Sequence, residues 1–185
     1  MCLMRDINVS TVDHILEAAF EVFSQNPGAS LADIAKQAGV GRATLHRHFA
    51  GRDDLVVELT LTAAKELDAA VEEATVHCQT YAEALEAALN AILPLAARHM
   101  FLATEPASHD PRVAEVYATQ SRDLAHDIDM AKAEGAFDPH VPTEWIVQAY
   151  ENLIYAGWAM VAAGDATPKQ AAALAWRTLT QGTRP

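Results

Sequence analysis

Cysteine is scarce in this chain: Cys2 and Cys78 are the only two in 185 residues, far apart and without a CxxC pair. That spacing excludes a zinc knuckle or a dithiol redox motif, and no disulfide framework is expected. Long hydrophobic runs are missing as well. No stretch reaches the roughly 20 apolar residues that a membrane helix needs, and the opening MCLMRDINVS has no signal-peptide core. The expectation is a soluble cytoplasmic protein with no membrane partner. Aromatic residues make up only 6% although hydrophobic residues make up 51%. Alanine fills the difference, and an alanine-rich chain favours helices over sheets. No nucleophile set, paired-carboxylate site or phosphate loop is present, so no enzyme is expected. His99, His109 and His126 stand in no HxH or HExxH spacing, so neither a metal nor another cofactor is expected, and they read as readily as surface residues.

Positive charge is also in short supply. Thirteen Lys and Arg face 25 Asp and Glu, for a net charge of −12, which at face value argues against a nucleic-acid partner. Locating the charges weakens that objection. Residues 1–55 hold five cations and seven acids, net −2, whereas the remainder hold eight and 18, net −10. Three of the five early cations, Arg42, Arg47 and Arg52, fall in one short stretch.

That stretch overlaps LADIAKQAGVGRATLHRHF, Leu31 to Phe49. Leu31, Ile34, Ala35 and Ala38 recur at helical spacing. Ser30 with Asp33 makes a capping box before them, and Gly39 offers the left-handed residue that ends a helix and reverses the chain. Leu45 and Phe49, four apart, form the inward face of a second short helix, which leaves Arg42, Thr44, His46, Arg47 and His48 for its other faces. A small residue at Ala35, a turn glycine and a donor-rich second helix are the requirements of a helix-turn-helix, whose second helix enters a major groove. Arg42, at the exposed start of that helix, suits a bidentate bond to guanine O6 and N7; the alternative is a solvated arginine. Ser30 caps, binds phosphate, or does both.

The longer run ILEAAFEVFSQNPGASLADIAKQAGVGRATLHRHFAGRDDL, Ile15 to Leu55, resembles the tetracycline-repressor (TetR) family. The likeness lies in an apolar first helix ending in Phe, a Ser cap, the A-x-x-A-G-V turn and a T-L-x-x-H-F ending. It implies an all-α fold of about nine helices, with a DNA-binding module over residues 1–51 and a ligand-binding and dimerisation domain over 52–185. By the same resemblance Ser30, Gly41, Arg42, Ala43, Thr44, His46, Arg47, His48 and Arg52 are the DNA-facing residues. Thr44 matches the position that meets a base methyl or a phosphate, and His48 the histidine that meets the backbone. Three departures stand out: His46 replaces a Tyr, Gly41 replaces a capping Ser, and Asp13 lies where a cation is frequent. The glycine forgoes a hydroxyl cap at a cost of a few tenths of a kcal/mol, roughly.

Beyond the module, Ser10 with Asp13 starts a helix stopped by Asn26-Pro27-Gly28, and a long fourth helix runs from Arg52 to about Thr75. Helix five is expected from Thr80 to His99, kinked or broken at Pro94. Later helices run from Pro111 to Gly135, from Trp145 to Val161, and onward from Thr167-Pro168. The stretch from Leu153 to Ala163 is apolar nearly all round, which calls for cover from a second subunit. The resemblance places the dimer interface on the last two helices, with Leu153, Ala156, Met160, Ala171, Leu174, Ala175, Thr178 and Leu179 as candidates. It places the ligand among helices four, five, seven and eight, with Leu89, Leu93, Met100, Phe101, Tyr117, Gln120, Tyr150, Ile154 and Trp158 as candidates. Aromatic and Met residues at this spacing fit a plain core equally well. The expected function is a homodimeric repressor on a near-palindromic double-stranded operator, released by a largely apolar small-molecule inducer. The alternative is a helical binding protein that has lost DNA binding.

Overall fold

The computed structural model describes residues 10–104, 107 and 109–184; Cys2 lies outside them. Among the described residues there are nine α-helices, two short 3-10 segments and no strand. The chain divides into two compact units between Leu59 and Thr60, within the fourth helix.

In the first unit, α1 (Thr11–Gln25), α2 (Leu31–Gln37) and α3 (Arg42–His48) are each fixed by local chemistry. The Ser10 hydroxyl accepts from the Asp13 amide at 3.1 Å while the Asp13 carboxylate accepts from the Ser10 amide at 3.0 Å. Ser30 and Asp33 repeat the same box at α2, at 3.3 and 2.9 Å. The Ser30 hydroxyl bond holds the Asp33 carboxyl below its usual range. Gly39 sits at φ +65°, and the Val40 amide reaches back to the Ala35 carbonyl at 3.0 Å, closing the turn that sends the chain into α3. Ile15, Ala19, Phe23, Ile34, Leu45 and Phe49 are almost fully buried and form the core of this unit.

The fourth helix, α4 (Arg52–Thr75), continues into the second unit. There α5 (Tyr81–Ile92) ends two residues before Pro94, a 3-10 segment spans Leu93–Leu95, and α6 (Ala96–His99) follows. The missing proline N–H breaks the α-helical ladder earlier than a helix continuing to His99 would require. A second 3-10 segment, Met100–Thr104, precedes α7 (Pro111–Ala133), α8 (Thr143–Ala163) and α9 (Pro168–Gly182). The core joins α5, α7, α8 and α9 through Leu89, Leu93, Ile128, Phe137, Ile146, Ala171 and Leu179. Two buried donors pin α8 to α5: the Tyr150 hydroxyl donates to the Leu85 carbonyl at 2.8 Å, and the Trp158 indole donates to the Ile92 carbonyl at 3.1 Å. Gly157 permits close approach on the same face, because a Cβ there would meet Leu93 Cδ1 at 2.4 Å. No helix of the described residues is long and apolar enough to cross a membrane.

Candidate DNA-reading head and effector cavity

On the first unit, Leu45 and Phe49 anchor α3, and the remaining faces carry the donors. Arg42, Ala43, His46, Arg47 and His48 are exposed and Thr44 is half-buried. His46, Arg47 and His48 lie in the last turn, where positive charge suits the helix dipole. Gly41 is the N-cap of α3 and supplies no side-chain bond. Ser30, Arg42 and His46 are brought together around a shallow hollow that Leu31, Ala32 and Leu45 complete. The exposed starts of α2 and α3 thus share one surface.

Two of the expected DNA contacts have structural duties. The Ser30 hydroxyl is engaged in its capping box with Asp33. Arg52 donates to the Pro27 carbonyl at 2.7 Å and to the Ala29 carbonyl at 3.1 Å, with its guanidinium carbon 4.3 Å from the centre of the Phe23 ring. The guanidinium fork ties the α1–α2 turn to the start of α4, and that turn sets where α2 and α3 lie.

The second unit holds a cavity of about 1240 Å³ that opens to solvent, above the ~300–1,000 Å³ typical of small-molecule sites. It is lined by α4 (Thr60, Ala63, Ala64, Leu67, Val71), by α5 (Tyr81, Leu85, Ala88, Ile92), by α7 and by α8, with His99 and Leu102. Of the nine residues expected at the ligand, Tyr117, Gln120, Tyr150, Ile154 and Trp158 line it, and Leu89, Leu93, Met100 and Phe101 are not among the lining residues. Leu89 and Leu93 lie in the core, Met100 packs against it, and Phe101 is buried. Gln120 donates to Asp68 at 2.8 Å, joining α7 to α4.

Sequence reasoning missed the ionisable lining. Asp123, Asp127, Glu151 and Tyr155 all face the cavity. Their signal was spacing: Tyr117, Gln120, Leu124 and Asp127 share one face of α7, as Glu151, Tyr155 and Trp158 share one of α8. Desolvation raises the pKa of both Asp127 and Glu151. Burial likewise raises Tyr150, with the Asp127 charge adding to it, and raises Tyr155, with Glu151 adding to it. His99 is 2% exposed, its Nε2 3.2 Å from the Glu66 carboxylate and its ring stacked on Trp158 at 6.3 Å. Burial lowers its pKa and outweighs the opposing pull of Glu66, so the ring is neutral near pH 7. His126 meets Tyr81 edge-on, and His109 is exposed.

The residues expected at a subunit interface fall into two groups. Ala171, Ala175 and Leu179 are buried in the chain's own core, with Leu153 packed at its edge. Ala156, Met160, Leu174 and Thr178 are exposed.

The sequence pattern of the family described as bacterial regulatory proteins, tetR family, matches residues 15–59. The HTH-type transcriptional repressor LfrR of Mycolicibacterium smegmatis is 32% identical over 156 residues, which cover 84% of this chain and 80% of LfrR. A crystal structure of LfrR in complex with proflavine is similar at a TM-score of 0.77 and 29% identity, covering 95% of this chain and 97% of that one. The ketosteroid transcriptional regulator KstR2 of Mycobacterium tuberculosis shares the fold, at a TM-score of 0.74 and 19% identity over 95% of this chain and 96% of that one.

Proposed function

The chain belongs to the tetR family of bacterial regulatory proteins and is a DNA-binding transcriptional regulator; from that premise we propose that it represses transcription as a homodimer released from its operator by a small molecule. Two recognition helices, one per subunit, enter successive major grooves of a near-palindrome. Arg42 reads a base edge, Thr44 and His48 fix the register on the backbone, and His46 supplies an imidazole contact where the family has a phenol. A net charge of −2 over residues 1–55 makes bulk attraction weak, so affinity rests on these few contacts. The exposed faces of α8 and α9, with Ala156, Met160, Leu174 and Thr178, supply the dimer contact. Working on DNA puts the protein in the cytoplasm.

The observation that carries the reading is the exposed row of donors on α3, on a head whose large apolar side chains Ile15, Phe20, Phe23, Ile34, Leu45 and Phe49 are buried. The cavity supports the ligand half of it, as does the proflavine complex of LfrR. A ligand that binds better to the conformer unable to hold DNA shifts the population and frees the operator. Selection of bound sequences from a random DNA pool tests the proposal. Enrichment of an inverted repeat is expected, and a pool unchanged from its input would overturn it.

A further inference from the structure

The charges around the cavity are of one sign. Asp68, Glu72, Asp123, Asp127 and Glu151 line it, and no Lys or Arg does among the described residues. The one imidazole there, His99, is kept neutral by its burial. Arg98, its neighbour in sequence, places its guanidinium on Glu66 through bonds of 2.9 and 2.8 Å. Asp127 and Glu151 are half-buried and have no Lys or Arg within ion-pair distance among the described residues. Glu151 accepts one bond, from the Gln148 side-chain amide at 3.2 Å, but holding two half-buried carboxylates without a Lys or Arg beside them is unfavourable, and a cation entering the cavity reduces that penalty.

The walls beside these carboxylates are aromatic. Tyr155 meets Trp158 edge-on at 5.8 Å, and Trp158 stacks on His99, so one wall is a run of rings. Glu151 and Asp127 lie close enough to Tyr155 and Tyr150 for their charges to be felt at the phenols. Ring faces attract cations, and do so more strongly where water is excluded. Carboxylates and aromatic rings lining one cavity therefore select positive charge and an aromatic body together, a combination that an apolar inducer does not need.

Building on the reading of this cavity as the effector site, we propose that it binds a planar aromatic cation, with Asp127 and Glu151 holding the charge and the Tyr155–Trp158 wall holding the rings. The test is calorimetric titration of the full chain with three probes of similar shape at about pH 8: proflavine, its uncharged parent acridine, and the anion 9-anthracenecarboxylate. Proflavine is expected to bind at least about tenfold more tightly than acridine, and the anion most weakly of the three. The D127N/E151Q pair is expected to lose about tenfold for proflavine and to bind acridine as before, which also reports that the cavity is intact. Equal affinity for all three probes, or unchanged proflavine binding by the double variant, overturns the charge assignment and leaves the effector site standing. Binding of none of the three overturns both.

Discussion

Replacing Arg52 with Ala separates a structural arginine from a phosphate-binding one. Its guanidinium gives two bonds to carbonyls, of Pro27 and Ala29, and rests on the Phe23 ring. A hydrogen bond from a charged donor contributes about 1.5–3 kcal/mol when well shielded. Arg52 is half-buried and the Pro27 end of the turn is exposed, so about 1–2 kcal/mol for both bonds is the better figure after screening. The ring contact adds about 0.5–1 kcal/mol. The loss is then about 1.5–3 kcal/mol, and each kcal/mol shifts the melting midpoint of a chain of this size by roughly 2–4 °C. Circular dichroism melts, paired with operator binding across a salt series, read both quantities. The variant is expected to melt at lower temperature while the slope of affinity against salt stays as it was. Arg52→Lys is expected to lose most of the same stability, because an ammonium cannot span both carbonyls as the fork does. An unchanged midpoint, with a salt slope shallower by about 0.9, would mean a phosphate contact and refute the reasoning.

Arg42→Ala is expected to weaken operator binding by about 1–3 kcal/mol with no change in melting, since the side chain is exposed; equal affinity in an anisotropy titration would remove Arg42 from base reading. Gly157→Ala drives a Cβ toward Leu93, which is fully buried. Overpacking of about 1–3 kcal/mol outweighs the roughly 1 kcal/mol of helix propensity gained, so urea denaturation is expected to give a lower midpoint, and a higher one would contradict the close approach. For His99 the folded pKa lies below the ordinary value of 6.5. The stability from keeping it neutral is therefore present above 6.5 and lost as pH falls through the folded value. The stability difference between the native protein and His99→Gln is expected to shrink from about pH 7.5 to about pH 5.5, and a constant difference would count against a buried neutral ring.

What could be read from the sequence was local. The Ser10/Asp13 and Ser30/Asp33 boxes, the Gly39 reversal and the inward pair Leu45 and Phe49 depend on residues within one turn of each other. They appear in the structure where spacing placed them. The carbonyl bonds of Arg52 could not be read from the sequence, because its partners lie 25 and 23 residues earlier and are backbone carbonyls, which carry no sequence signal. The end of α5 was legible in kind, since Pro94 had to interrupt it, but the break comes at Ile92 and the Trp158 indole bonds the Ile92 carbonyl. In the cavity, Leu89 and Leu93 share the apolar character of Ile92 and Leu85, and only packing decides which of them meets the core alone. Glu151 shares a face of α8 with Tyr155 by spacing alone, whereas the nearness of Asp127 to Tyr150 emerges only when α7 and α8 come together.

Release of DNA by a ligand in the cavity is tested most directly by the anisotropy of a labelled, selected operator held by the protein while proflavine is added. Proflavine also intercalates into DNA, so the D127N/E151Q protein is titrated in parallel to remove that contribution. The native complex is expected to dissociate at concentrations about tenfold lower than the double variant requires. Release of both complexes at one concentration, or persistence of the native complex once calorimetry shows the cavity filled, would contradict the coupling.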